Sequence, residues 1–148
     1  MGRFPTGVTV VGTRAPDGSP RGLTVNAFTS VSLDPPLVLV CIDRGSSSHD
    51  ILAEGEGFAV SILSDTQSRI AAHFASEPSE ERFEGIDWDP ADSGNPVLSG
   101  ASAWLDCALA DVLEGGDHSI LLGRVVSCGT SDAAPLLFHA GSFGSAVP

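Results

Sequence analysis

The side chains able to ligate a metal or act as activated nucleophiles include four histidines, His49, His73, His118 and His139, and three cysteines, Cys41, Cys107 and Cys128. Structural and catalytic zinc sites gather such ligands at short fixed intervals. Neither HxxxH nor CxxC spacing occurs here, so no metal site is expected. The GxSxG elbow of the α/β-hydrolases is absent too, although a Ser-His-Asp triad is defined by geometry and the sequence leaves that class open. A dinucleotide fold of Rossmann type needs GxGxxG between a strand and a helix. Gly55-Glu-Gly57 lacks the third glycine, and Gly141-Ser-Phe-Gly144 has no helix after it. A nucleotide, if bound, would therefore sit on a β scaffold.

The segment that stands out is Thr24 to Ser32, TVNAFTSVS. Read as one strand, its alternation puts Thr24, Asn26, Phe28 and Ser30 on one face and Val25, Ala27, Thr29 and Val31 on the other. Hydroxyls and an amide beside a small residue suit the edge of a flat heteroaromatic ring. The same composition also suits a Thr/Ser-rich strand that simply faces water.

The elements that would position this segment are mostly strands. Gly7 to Thr13 is rich in β-branched residues and runs into the turn segment Ala15 to Pro20. Leu37 to Ile42 is a continuous apolar run of strand length, expected to be buried on both faces with Cys41 as a small hydrophobe. Phe58 to Leu63, Trp104 to Leu113, Ser119 to Ser127 and Leu136 to His139 read as further strands around a Gly115-Gly116 turn. Ser46 to Ser48 can cap a short helix, and Ser64-Asp65 a longer one whose Ile70, Ala71 and Phe74 form one apolar face. Glu77 to Asp92 carries seven acids against the single Arg82 and reads as a solvated excursion pinned by Phe83, Ile86 and Trp88. Six or seven strands with two or three short helices make a mainly β fold, an antiparallel barrel or sandwich.

The 148 residues fit one domain spanning 1–148, with 42% hydrophobic residues for a core and 17 Gly and 10 Pro for its turns. Seven Lys and Arg against 19 Asp and Glu give a net charge of −12. That balance lacks the positive footprint which nucleic acid or anionic lipid would attract. The longest apolar run, Leu37 to Ile42, is far below the roughly 20 residues of a membrane helix. The odd, scattered cysteines argue against a disulfide framework and for a reducing, cytoplasmic setting. Tyrosine is absent, which removes any mechanism built on a phenol.

Three stretches carry a resemblance: Arg3 to Thr13 (RFPTGVTVVGT), Thr24 to Val38 (TVNAFTSVSLDPPLV) and Gly116 to Ile120 (GDHSI). Together with the Gln67 to Phe74 helix, Arg82-Phe83, Asn95 to Leu98 and Pro135 to Phe138, they resemble in order the flavin reductase-like family, whose fold is the FMN-binding split β-barrel. The resemblance implies an NAD(P)H:flavin oxidoreductase using FMN or FAD and NADH or NADPH, a homodimer with flavin near the subunit interface, and a monooxygenase component as partner. Relatives usually have a helical segment ahead of this motif, whereas Met1-Gly2-Arg3 begins almost on it, so the sequence reads as truncated or remodelled at this end.

Carried over residue by residue, the resemblance makes Thr24, Val25, Asn26, Ala27, Val31 and Ser32 border the flavin ring, with Pro5 and Thr6 nearby. Many relatives have Ser where Ala27 stands, so one hydroxyl contact would be missing. Cys41, Ile42 and Asp43 would run beside the flavin chain, and Ser47 and Ser48 would meet its phosphate, in keeping with the anion preference of a helix start. Arg44 and Arg82 are scarce cations that could neutralise phosphate. His118 would serve catalysis at the nicotinamide, and Gly141, Ser142, Phe143 and Gly144 would form a loop whose Phe143 covers the nicotinamide face. Two other readings stay open: a non-catalytic flavin-binding barrel, and a structural β-domain without cofactor.

Overall fold

A computed structural model describes residues 1–146. The chain forms the strands β1 (Thr6–Gly7), β2 (Thr9–Arg14), β3 (Pro20–Val25), β4 (Phe28–Leu33) and β5 (Pro36–Asp43), the helix α1 (His49–Ala53), β6 (Gly57–Ile62) and the helix α2 (Ser68–Ser76). It continues with β7 (Trp88–Pro90), β8 (Pro96–Leu98), the long hairpin β9 (Ala103–Gly115) and β10 (His118–Thr130), then β11 (Leu136–His139) and β12 (Ser142–Ser145). Seven strands make one antiparallel sheet in the order β3-β2-β6-β9-β10-β5-β4, beside a three-stranded sheet β1-β11-β12 and the β7-β8 ribbon.

The order of the large sheet explains its closure. Its two outermost strands, β3 and β4, are consecutive in the chain and joined only by Asn26-Ala27. Two edges so tethered can meet only if the sheet curls into a barrel. At the corner the Cys41 N–H donates to the Ala27 carbonyl at 3.0 Å, and the Phe28 N–H to the Asn26 carbonyl at 3.0 Å.

This corner corrects the reading of Thr24 to Ser32 as one strand with a single alternation. Asn26 and Ala27 belong to no ladder and both are exposed. Phe28 resumes on the core side with Val25, packed against the same apolar cluster. The register of β4 on β5 shifts again between Ser30 and Ser32, leaving Val31 unpaired and half exposed.

Two cores result. One fills the barrel with Val11, Val40, Ile42, Phe58, Val60 and Leu121. The other joins Val8, Val10, Leu63 and Leu136 to Ala71 and Phe74 of α2 and to Phe83. Phe74 and Phe83 meet edge to face at 4.9 Å and Phe83 and Trp88 at 6.0 Å, so the acidic excursion is pinned through the expected aromatics. The Arg14 guanidinium lies 5.4 Å over the Trp88 ring.

Covering by α2 and the excursion buries β2 on both faces, but none of the described residues does the same for β5. Val38, Val40 and Ile42 point into the core, while Leu37, Leu39 and Cys41 on the opposite face stay half exposed. The expectation that Leu37 to Ile42, with Cys41, is buried on both faces is therefore wrong: an apolar run does not say what covers its second face. The expected cap of α2 is also displaced. Ser64 and Asp65 instead bridge to Pro135 and Ala134, and the helix starts at Ser68 after Gln67, whose side chain accepts from the Ser64 N–H at 3.0 Å.

Candidate active site

Antiparallel pairing sets Thr9 of β2 opposite Val25 of β3. Residues just before β2 and just after β3 therefore lie at the same end of the barrel, which places Pro5 and Thr6 at the end that carries Asn26 and Ala27. The Ala27 to Cys41 bond brings the last turn of β5 to this corner, and β10 lays Ile120 opposite Cys41, Ser119 opposite Ile42 and His118 opposite Asp43. Four predicted groups, Pro5-Thr6, Asn26-Ala27, Cys41 to Asp43 and His118, thus share one rim.

Beyond Asp43 the chain makes a tight serine turn. The Asp43 carboxylate accepts the Gly45 N–H at 2.8 Å and its carbonyl the Ser46 N–H at 3.0 Å. Ser46 in turn accepts the His49 N–H on its carbonyl at 3.1 Å and the Ser48 N–H on its hydroxyl at 3.3 Å. Ser47 is exposed and its hydroxyl bonds to no described residue, whereas Ser48 is fully buried with its hydroxyl 3.0 Å from that of Ser79. An incoming anion can therefore meet the Ser47 hydroxyl without breaking a protein contact. The Arg44 N–H donates to the Asp117 carbonyl at 3.0 Å, which ties the turn to the β9-β10 hairpin.

His118 stands on that hairpin with its Nδ1 2.7 Å from the Asp117 carboxylate. The hydrogen bond from His118 and the charge of its ring hold the Asp117 carboxyl below its ordinary range. An ionised carboxylate only accepts, so Nδ1 carries a hydrogen, and the other ring nitrogen, Nε2, has no partner among the described residues. The ring is partly open to solvent, its side chain 40% exposed.

The small sheet supplies the remaining piece. β11 pairs Phe138 with Thr6 on one side and with Phe143 on the other, and the two phenyl rings lie 5.5 Å apart. Ala140-Gly141, at φ 50° and 80°, turn this hairpin, which is the conformation that favours glycine at Gly141. Ser142 and Gly144 pair with His139 and Leu137, and Phe143 remains 41% exposed. Beside Phe138, the Thr6 hydroxyl is buried and without a partner among the described residues.

Other predicted residues are placed differently. The Thr24 hydroxyl donates to the Ala71 carbonyl of α2 at 2.6 Å, and the Val25 side chain lies in the core. Val31 and Ser32 sit four and five residues beyond Ala27, roughly 13 to 17 Å along β4. Arg82 donates to the Glu77 carbonyl at 2.8 Å and the Gly22 carbonyl at 2.9 Å, clamping the excursion onto β3, and burial lowers its pKa. A cavity of about 810 Å³ opens elsewhere, among Thr13, Arg14, Ile51, Glu54 and Asn95, and none of the predicted site residues lines it.

Two arrangements had no sequence signal. Asp106 is fully buried, accepting from the Ser93 N–H at 3.2 Å, the Ser93 hydroxyl at 2.7 Å and the Asn95 amide at 3.2 Å. His49, half-buried at the start of α1, places Nε2 2.8 Å from the Ser119 hydroxyl and Nδ1 2.8 Å from the Asp50 carboxylate. This is a Ser-His-Asp line of hydrogen bonds. It lacks access for an acyl substrate, because Ser119 is only 4% exposed and its backbone is paired on both sides with Ile42 and Glu114.

Residues 1–146 match the family model described as "Flavin reductase like domain". The chain belongs to this family. A flavin reductase-like chain of 43% identity is the NADH-dependent FAD reductase of Streptomyces globisporus, aligned over 100% of this chain and 83% of that protein. The stachydrine N-demethylase reductase subunit of Rhizobium meliloti is 42% identical over 97% of this chain and 62% of its own length. With two further relatives matched over 46% of theirs, the chain spans about half the length of these three curated relatives. Among solved structures, the S. globisporus NADH:FAD oxidoreductase in complex with NAD and FAD fragments superposes with a TM-score of 0.93 at 42% identity, over 99% of this chain and 88% of that one. The flavin reductase-like fold is thus the mainly β, antiparallel split barrel. Among the described residues no helix is long and apolar enough to cross a membrane, and no cluster of potential metal ligands occurs.

Proposed function

We propose that this chain reduces a flavin, FMN or FAD, with electrons from NADH or NADPH, and that the reduced flavin serves a monooxygenase component. The observation that carries the reading is the convergence, on one rim of the barrel, of an unpartnered buried hydroxyl at Thr6, the ladder-free Asn26-Ala27 corner, the unengaged Ser47 hydroxyl and His118. These groups fit a flat ring with a phosphate-bearing tail. When bound, such a ring accepts a hydride from the nicotinamide and carries the electron pair onward.

The tasks of the residues in this reading combine what the resemblance implies with where each side chain lies. Thr6 gives or takes a hydrogen bond at the ring, and the Asn26 amide offers both a donor and an acceptor at the exposed corner. Ser47 meets the phosphate, while Ser48, buried against Ser79, holds the turn rather than the ligand. Val31 and Ser32 extend the surface along β4, and Arg82 contributes through the clamp on β3. Phe143, backed by Phe138, covers one face of the nicotinamide and excludes water from it. His118 presents Nε2 to the nicotinamide carboxamide, its orientation fixed through Nδ1 by Asp117.

The reading includes a single catalytic domain working as a homodimer in the cytoplasm. What supports the dimer is the outer face of β5 and β10, where half-exposed Leu37, Leu39, Cys41, Ile120 and Leu122 adjoin exposed Val31 and Leu33. An apolar face of this extent next to the proposed flavin rim is what a second copy would cover. The curated relatives and the solved complex named above support the flavin and nicotinamide roles. The test compares FMN with riboflavin as the acceptor in NADH oxidation: Ser47→Ala should raise KM for FMN several-fold and leave KM for riboflavin unchanged. Equal effects on both would contradict the phosphate assignment, and a wild type inert towards FMN and FAD would contradict the function.

A further inference from the structure

We infer that His49 is a positioning residue that locks the serine turn to the strand carrying His118, so that the two ends of the proposed flavin and nicotinamide site are held as one unit. The inference rests on the functional reading above and goes beyond it by assigning a residue outside the predicted site. Its side chain is 13% exposed and engaged at both ring nitrogens, with the Asp50 carboxylate and the Ser119 hydroxyl each at 2.8 Å.

The tautomer follows from the partners. Asp50 is exposed and its carboxylate can only accept, so Nδ1 carries a hydrogen and Nε2 is left to bond the Ser119 hydroxyl. Ser119 is the residue after His118 and lies opposite Ile42, the residue before Asp43. Asp43 is also the residue that shapes the serine turn through its carboxylate and carbonyl. A single imidazole therefore spans from the first residue of α1 to β10, across 70 positions of sequence.

A second link, from the Arg44 N–H to the Asp117 carbonyl, runs parallel to it on the other side of His118. Of the two, the Arg44 link is main chain to main chain and survives any side-chain change. His49 is the part of the coupling that a substitution can remove. Losing it leaves the Ser119 hydroxyl, buried on a central strand, without its hydrogen-bond partner.

The test uses the full chain, with FMN and NADH as probes. His49→Ala should weaken FMN binding, read by quenching of flavin fluorescence, by about tenfold, the scale of one buried hydrogen bond left unmade. It should also shift the imidazole resonances of His118 in the ligand-free protein, while those of His139 stay in place. His49→Gln, whose amide can reach Ser119, should recover most of the FMN affinity and return the His118 signals toward wild type. In kinetics, His49→Ala should lower kcat for NADH oxidation in the wild-type background and have little further effect on a His118→Ala background, because the two act together.

Ser119→Ala serves as the second route to the same break should His49→Ala fail to fold. An unshifted His118 signal with unchanged FMN affinity in either variant overturns the inference and leaves the functional reading intact. A wild type that neither binds FMN nor oxidises NADH overturns both. Equal loss in His49→Ala and His49→Gln, or full additivity with His118→Ala, makes His49 an ordinary structural residue and also overturns the inference.

Discussion

Leu39→Asp separates the barrel from the proposed dimer. Leu39 lies on the outer face of β5, opposite Leu122 of β10 and Thr29 of β4, and is partly exposed in the single chain. Burying a leucine completely is worth about 1.5–3 kcal/mol, so the part still open, about a third at most, contributes up to about 1 kcal/mol per copy when a second chain covers it. A two-fold interface counts each residue twice, giving about 2 kcal/mol for the lost contact. Desolvating two unpaired carboxylates adds about 3 kcal/mol or more. The sum of about 5 kcal/mol corresponds to between three and four decades in dimer dissociation constant. The monomer loses about 1–2 kcal/mol, the share of the leucine already buried within one chain, while the new carboxylate keeps access to water. Sedimentation velocity at micromolar protein should show a wild-type dimer and a folded Leu39→Asp monomer with an unchanged circular dichroism spectrum. Val40→Asp, one residue on and fully buried, should instead unfold the chain. A wild-type monomer, or a Leu39→Asp protein that remains dimeric, would refute the reasoning.

Phe143→Ala should raise KM for NADH by about tenfold while changing thermal stability little, since the ring is 41% exposed and touches mainly Phe138; steady-state kinetics and a melting curve check both halves. Asp106→Ala should cost about 2–4 kcal/mol in urea unfolding, because three donors from Ser93 and Asn95 lose one fully buried acceptor. Burial, with the Asp106 charge beside it, pushes the Cys107 thiol up to about 12 from an ordinary value of 9.0. The folded chain then keeps a proton that the unfolded chain releases, so this thiol's contribution to stability should fall as pH rises from about 9 to 12. Denaturation across that range should show a downward slope that Cys107→Ala reduces. A thiol reagent near neutral pH should label exposed Cys128 and leave buried Cys107 intact.

Much of the barrel was legible because local patterns agree with the final packing. The Ile70, Ala71 and Phe74 spacing gave the buried face of α2, and Phe83 and Trp88 pin the acidic stretch as their type suggests. What escaped depended on partners distant in sequence. Asn26-Ala27 lies inside a run whose composition is all strand, and the break there exists because the Cys41 N–H meets Ala27 as the sheet closes. The apolar run Leu37 to Ile42 announces burial but not that its outer face lacks a cover among the described residues. Thr6 carries no local signal of its orphaned hydroxyl. Ser48 and Ser47 look alike as neighbours, and only the approach of Ser79 makes one a strut and leaves the other free. His49 and Ser119 are invisible as a pair for the same reason, and the missing GxSxG elbow says nothing of such a line of bonds.

The most direct measurement mixes the purified chain, FMN and NADH without oxygen and follows the visible absorbance of oxidised flavin. The account predicts rapid bleaching at a rate proportional to protein, slowed strongly in His118→Ala with FMN binding retained. Bleaching no faster than in protein-free buffer, with no flavin bound at the Asn26-Ala27 corner, would contradict it.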